Sequence, residues 1–152
     1  MKYLLAVMAL MLLSLPLFAA EPGVGETGQA WLKAAKANNL EAIVALYAPD
    51  AVMFPPDMMV AKGSDEIRKN YAGLLDHFTI QDAEILEAMH ETQGDLSTSW
   101  GQFRLVLKPK EGGDIVTMNG RFSDVSKRIK GKWLYIADHA SLPAPPPPGP
   151  AH

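Results

Sequence analysis

Few side chains in this chain of 152 residues are of the types that carry out chemistry, and they do not form clusters. The chain has no cysteine, which excludes a thiol nucleophile, a thiolate metal site and a disulfide framework. Its four histidines form no His-x-His or His-x-x-x-His pair, and it has no glycine-rich phosphate loop. The sequence therefore predicts no metal and no other cofactor, and any chemistry must come from single acid/base side chains.

The apolar segment over residues 132–141 holds the best acid/base candidate, because it ends in the sequence Asp-His-Ala-Ser. Regular strand alternation would place His139 and Ser141 on one face and Asp138 on the other, so the adjacent Asp and His cannot form a dyad. Histidine commonly exchanges protons near neutral pH. We therefore predict His139 as the catalytic residue of any enzyme built here. The alternative is a structural histidine bonded to a neighbouring carbonyl.

Residues 1–20 have the layout of a secretory signal and are excluded from the fold. They contain 17 apolar residues and one charge, Lys2, followed by an apolar run over Tyr3–Leu13, a helix-breaking Pro16 and small residues. The stretch is short for a spanning helix and contains a proline. We expect an exported protein, periplasmic or secreted, with no stable membrane anchor.

The rest of the chain has the composition of one soluble domain. Without Lys2 it carries 13 basic and 17 acidic residues and no long basic face, so nucleic acid is not an expected partner. Residues 21–26 are predicted to be a disordered lead-in, because they are rich in glycine and proline. Residues 142–152 contain six prolines and are predicted to be a disordered tail. The folded domain is therefore expected over residues 27–141.

Apolar spacing predicts three helices ahead of the sheet. The first covers residues 27–38, the second starts near Asn39 and is closed by Pro49, and the third begins at Ser64 as a capping residue. Between the last two helices, residues 50–55 are typical of a strand that ends in a turn.

Four long runs of strand-forming residues follow, separated by glycine-containing turns. Their length requires strong curvature, for which Gly101 and Gly120 are the natural bend points. Helices followed by an antiparallel meander predict an α+β fold. The runs are Phe78–His90, Leu96–Pro109, Ile115–Lys130 and Lys132–Ser141.

Residues 39–56, 62–67 and 131–141 resemble the NTF2-like superfamily, and within it the DUF4440/SnoaL-like group. The resemblance implies a cone in which a curved antiparallel sheet wraps around about three N-terminal helices and encloses a deep pocket. It also implies a homodimer formed through the outer face of the sheet. The fold by itself implies no single activity, because it hosts enzymes, binding modules and assembly domains.

On this resemblance, the His-x-Ser end of the last strand should face the cavity, with Tyr71 near its mouth and Met and aromatic side chains forming its walls. We predict a mostly apolar pocket that binds a small organic molecule. For Tyr71 and the wall residues the alternative is an ordinary core role. The predicted ligand-binding residues are Tyr47, Met53, Phe54, Tyr71, Trp100, His139 and Ser141.

Three alternatives remain open at the level of sequence. The first is an isomerase- or lyase-type enzyme that shifts a proton next to a carbonyl, for which Asp50 and Asp124 are the available acids. The second is hydration of carbon dioxide, because the segment over residues 138–141 partly resembles the end of the iota-class carbonic anhydrases. The third is a dimeric interaction module without a working pocket.

Overall fold

A computed structural model of the chain describes residues 21–144. The predicted signal over residues 1–20, and the tail from residue 145 onward, lie outside the described residues. The helices are α1 (Glu26–Lys36), α2 (Leu40–Val44) and α3 (Gly63–His77). The strands are β1 (Glu21–Pro22), β2 (Tyr47–Phe54), β3 (Ala61–Lys62), β4 (Phe78–Gln93), β5 (Leu96–Pro109), β6 (Val116–Ile129) and β7 (Lys132–Ser141).

The strands form one seven-stranded sheet in the order β1-β4-β5-β6-β7-β2-β3. Strands β4 to β7 are an antiparallel meander, whereas β2 pairs in parallel with β7. Three helices cover one face of this sheet, which confirms the predicted α+β cone. No helix among residues 21–144 is both long and apolar enough to cross a bilayer.

Local hydrogen bonds explain where two of the helices start. The Asn39 side chain accepts a bond of 3.0 Å from the Ala42 amide and so caps α2, as predicted. Helix α3 begins at Gly63, one residue before the predicted start, and Ser64 is not its cap. Instead the Glu66 carboxylate reaches back to accept a bond of 2.7 Å from the Lys62 amide.

The second helix is shorter than predicted. It ends at Val44, and both Tyr47 and Pro49 belong to β2 rather than to a helical turn. Proline cannot donate to a strand ladder, and the register of β2 against β7 shifts between Tyr47 and Val52, the interval that contains Pro49. The helical spacing of Tyr47 was therefore coincidental, and its side chain is placed by the sheet.

The segments on either side of the predicted domain are also ordered where the structure describes them. Glu21 and Pro22 pair with β4, and the Gly23 amide donates a bond of 2.8 Å to the Ala88 carbonyl. The lead-in predicted to be disordered is therefore the edge of the sheet. Leu142, predicted to open the tail, packs against the apolar core.

The long strands are curved by bulges. Strand β4 has two, and in β7 the pairing with β6 skips Ile136. Gly101 and Gly120 lie where neighbouring groups leave no room for a side chain, and their role as bend points stays a prediction. The bulge at Ile136 matters most for function, because it changes which residues of β7 face the helices.

Candidate active site

A cavity of about 530 Å³ lies between the inner face of the sheet, α1 and α3. This volume is in the range of pockets that hold small organic molecules. Most of its walls are apolar. The largest apolar contributors are Trp31, Met53, Phe54, Leu74, Phe78, Ile80, Ile85, Phe103, Leu105, Met118, Phe122 and Leu142.

Two carboxyl groups lie side by side in this apolar wall. Asp124 on β6 and Asp138 on β7 are directly opposed in the ladder, and both line the cavity. Asp124 is only 5% exposed. Because Ile136 bulges out of the ladder, Tyr135 and Asp138 lie on the same side of β7 although their spacing is odd.

A chain of hydrogen bonds joins Asp138 to helix α3 and helix α1. The Tyr47 hydroxyl donates to Asp138 Oδ2 at 2.6 Å, and it lies 2.8 Å from the Tyr71 hydroxyl. The Trp31 indole Nε1 donates to Tyr71 at 2.9 Å. Since Tyr47 gives its proton to Asp138, Tyr71 donates to Tyr47 and accepts from Trp31. Burial raises the pKa of both tyrosines, so both phenols keep their protons.

Asp124 receives its hydrogen bonds from Ser99, through both the amide and the hydroxyl. These bonds favour the carboxylate, but burial and the neighbouring Asp138 outweigh them and raise the pKa of Asp124 to about 7. Burial also raises the pKa of Asp138, against the opposing effects of the Tyr47 bond and the charge of His139. With a pKa of about 7, Asp124 is partly protonated near neutral pH, beside a second acid whose pKa is also raised.

Among the groups that the structure describes, no lysine or arginine forms an ion pair with either acid, and His139 acts on Asp138 only through its charge. Of the cavity-lining residues within 21–144, the only basic ones are Lys69 and His77, both carried by α3. The ion pairs found in that part of the chain involve other acids. Within the same range, no three histidine or acidic side chains converge as a metal site would require.

The structure brings four of the predicted ligand-binding residues together. Met53, Phe54 and Tyr71 line the cavity. Tyr47 is buried directly behind it, in contact with both Tyr71 and Asp138. What these residues bind stays a prediction, but their common location is now established.

The other three predicted residues lie outside the cavity. His139 is exposed and its ring packs edge-on against Phe54, with the centroids 6.2 Å apart. Ser141 is not in the lining. Trp100 is 39% exposed and lies beside a separate shallow groove. The inward orientation of His139 and Ser141, predicted from the resemblance, was wrong, because beyond the bulge at Ile136 it is Asp138 that faces the cavity.

Sequence reasoning missed the role of Asp138 and of Trp31. Asp124 was considered only as one of two acids, and the other, Asp50, is exposed on β2. Residues 133–137 are five successive apolar residues, so strand alternation could not be read from this part of the sequence.

The family model of the SnoaL-like domain matches residues 29–136. That stretch contains α2, α3, the strands from β2 to β6 and Asp124, whereas Asp138 lies two residues beyond its end. Among proteins of curated function, none matches the chain. The narrower DUF4440 assignment stays a prediction.

Several solved structures share the fold. A ketosteroid isomerase-like protein from Erwinia carotovora atroseptica SCRI1043 is 21% identical with a TM-score of 0.68, covering 78% of this chain and 92% of that one. An NTF2-like protein of unknown function from Pseudomonas putida KT2440 is 21% identical with a TM-score of 0.64, covering 78% and 82%. A candidate calcium/calmodulin dependent protein kinase II association domain from Xanthomonas campestris is 25% identical with a TM-score of 0.63, covering 83% and 94%.

Proposed function

The chain belongs to the SnoaL-like domain family, and on that premise we propose that it is a pocket enzyme that moves a proton on a small, apolar carbonyl compound. Proteins of this kind often bind small molecules or act as isomerases and dehydratases. Binding of an apolar organic molecule is the function expected from the sequence. Proton transfer is the alternative that the geometry favours.

The observation that carries the proposal is the pair Asp124 and Asp138 in an apolar wall. Placing two acids side by side without an ion-pair partner costs folding free energy, since each charge loses water and repels the other. Acids perturbed by burial and by a like charge, and located in a cleft, are typical of catalytic sites. A binding pocket for an apolar molecule would need neither of them.

Because Asp124 is partly protonated near neutral pH, the two acids can take complementary roles, one ionised and the other protonated. The ionised carboxylate can take the proton from the carbon next to the carbonyl. The electron pair of the broken C–H bond then moves to the carbonyl oxygen, which accepts a hydrogen bond from the protonated carboxyl. Return of the proton to the same carbon gives exchange, and return to another carbon gives isomerisation. The apolar walls exclude water and hold the substrate's hydrocarbon part.

We expect the protein to catalyse exchange of the α-hydrogens of 2-tetralone, a bicyclic apolar ketone, when it is incubated in D₂O and followed by proton NMR. Asp124→Asn and Asp138→Asn should each lower the rate about 100-fold or more, the scale of a lost general base or acid. Asp50→Asn, which changes an exposed acid of the same sheet, is the matched control and should keep the rate. Wild-type exchange no faster than buffer would contradict the proposal.

A second variant checks that exchange takes place in the cavity. Gly73 lies on α3 in the cavity lining, and a Cβ atom added there meets no heavy atom within 4 Å. Gly73→Trp should therefore fold and obstruct the cavity, whereas Gly73→Ala should leave it open. Exchange lost in the first and kept in the second places the reaction there. A chain that binds 2-tetralone without exchanging it would instead be the binding module expected from the sequence.

The carbonic anhydrase alternative has no support in this site. It depends on a cavity-facing His139 and Ser141, and these residues lie outside the lining.

For the partner, we propose a homodimer through the outer face of the sheet. Trp100 and Leu96 lie on the same face of β5 and are 39% and 48% exposed, and Trp100 is directly opposed by Met89. Exposed apolar side chains that cluster in this way are typical of interfaces. We expect light scattering after size exclusion to give a dimer for the wild type and a monomer for Trp100→Glu. Met59→Glu, in the loop after β2, should stay dimeric. A monomeric wild type would exclude this interface.

A further inference from the structure

A second, smaller chamber of about 170 Å³ lies at the N-terminus of α1. About half of its wall is polar, whereas the wall of the ligand cavity is mostly apolar. The chamber wall consists of the first turn of α1 together with side chains from β4, β5, β6 and β7. The side chains that matter for its chemistry are Thr27, His90, Thr92, Ser97, Ser126 and Trp133.

The chamber contains a buried hydroxyl group without a partner. Thr27 is 4% exposed, and its Oγ1 makes no hydrogen bond with any group that the structure describes. The residue before the helix, Gly25, has no side chain with which to cap the amides of the first turn. Unpaired buried donors of this kind are usually satisfied by ordered water, and the volume is enough for a few molecules.

Water fits this chamber better than an anion does. Helix N-termini attract anions, but here Glu26 occupies the first turn of α1 and belongs to the chamber wall. The partly ionised Asp124 lies on the strand that also provides Ser126, two residues away. A second negative charge would be repelled from both sides, whereas water can accept from the amides and donate to the hydroxyls.

Ser99 connects the chamber wall to Asp124. The Gly25 amide donates to Ser99 Oγ at 3.3 Å, so the hydroxyl's own proton is directed to the Asp124 carboxylate. In the ladder His90, Ser99 and Asp124 are opposed in succession across β4, β5 and β6. The next row toward the chamber contains Ser97, which accepts a bond of 3.0 Å from Thr92. Polar side chains in two neighbouring rows therefore lie between Asp124 and the chamber, where Ser97 and Ser126 belong to the wall and Ser99 reaches it through the Gly25 amide.

We propose that the chamber holds ordered water and that Ser99 passes protons between this water and Asp124. When a proton moves inward, the Ser99 O–H bond breaks and the proton forms an O–H bond with Asp124. Ser99 Oγ then takes a proton from a chamber water, and bulk solvent returns a proton to that water. The outward direction is the reverse. An apolar ligand that fills the main cavity would then leave Asp124 in proton exchange with solvent. The proton transfer through Ser99 rests on the proposed function, whereas the presence of water in the chamber does not.

The first test concerns the water. A high-resolution crystal structure of the protein should show water within hydrogen-bond distance of Thr27 Oγ1. Thr27→Val keeps the side-chain shape and removes the hydroxyl. It should lower the melting temperature by a few degrees if it displaces bound water. A dry chamber together with a higher melting temperature would overturn the site, because removing an unsatisfied hydroxyl is then stabilising.

The second test concerns the proton path and uses exchange of 2-tetralone. Thr27→Val touches neither carboxyl, so it should lower kcat roughly tenfold with KM and the midpoint of the pH-rate profile unchanged. Ser99→Ala should lower kcat further, and Ser99→Thr, which restores a hydroxyl, should recover it. Unchanged kcat in Thr27→Val and Ser99→Ala would overturn the path even if water is present. If the wild type does not catalyse exchange, both the proposed function and the proton path are contradicted. Water beside Thr27 would still support the water site.

Discussion

Asp124→Asn should make the protein more stable at pH 8, by up to about 4 kcal/mol, although it removes a group required for the proposed reaction. The pKa of Asp124 is raised from 3.8 to about 7 in the folded chain, mainly by burial and then by the charge of Asp138. Each unit of difference between folded and unfolded states corresponds to about 1.4 kcal/mol. The amide is uncharged at every pH and therefore avoids this cost.

The sign of the pH dependence follows from which state binds the proton more tightly. Between pH 4 and pH 7 the folded protein keeps the proton on Asp124 while the unfolded chain has released it. Stability from this group is therefore fully present below pH 4 and is lost as the pH rises to about 7. Asp124→Asn should show a smaller fall in stability over this range than the wild type.

Urea unfolding at pH 5 and pH 8 measures this difference, with Asp50→Asn as the matched control for removal of one acid. The control should follow the wild type at both pH values. An Asp124→Asn protein less stable than the wild type at pH 8 would show that the carboxylate is held by favourable bonds, and it would contradict the assignment of Asp124 as a destabilised site residue.

Gly101→Ala should destabilise the protein by about 3 kcal/mol or more, which for a domain of this size lowers the melting temperature by roughly 10 °C. A Cβ atom at Gly101 would lie 1.9 Å from the Glu87 carbonyl oxygen and 2.7 Å from the Ala88 Cα. Both are backbone atoms of β4, next to the bulge that follows Ile85. One added methyl group therefore forces apart the two strands that form the longest pairing of the sheet.

Gly73→Ala is the matched control, because it adds the same methyl group where there is room. Gly73 lies inside α3 and its added Cβ meets nothing within 4 Å. Alanine should stabilise the helix by about 0.5 to 1 kcal/mol. Thermal unfolding of the two variants compares steric exclusion with helix propensity. Equal melting temperatures would mean that β4 yields easily at its bulge.

The sheet was predictable because its signals are local. Glycine-containing turns mark the ends of the long strands, and the observed bounds of β5 and β7 are those expected from the sequence. The predicted end of the second helix was wrong because Tyr47 fits helical spacing. The sequence near Tyr47 cannot reveal its parallel partner β7, which lies about ninety residues later. Pairing over such a distance is decided by the packing of the whole domain.

The site was predicted in part, and a single inserted residue accounts for most of the difference. Met53, Phe54 and Tyr71 line the cavity as expected, because their positions do not depend on the alternation of β7. Beyond Ile136, strand alternation continues in the opposite phase, so that Asp138 faces the cavity and His139 faces away. A one-residue change of phase exchanges the two faces of a strand. As a result, the side chain of β7 that faces the pocket is the Asp138 carboxyl and not the predicted His139 imidazole.

The indole at the far end of the Trp31–Tyr71–Tyr47–Asp138 chain gives that chain a fixed polarity, because an indole nitrogen only donates. The Tyr71 hydroxyl can then donate its hydrogen bond either to Tyr47 or to a ligand in the cavity. While Asp138 is charged, Tyr47 turns its own hydrogen to the acid and accepts the one from Tyr71. Once Asp138 has gained a proton, Tyr47 can turn round and release Tyr71 to face the ligand. In the proposed reaction, protonation of Asp138 would therefore be coupled, through rotation of two hydroxyl groups, to the release of Tyr71 as a hydrogen-bond donor for the substrate oxygen.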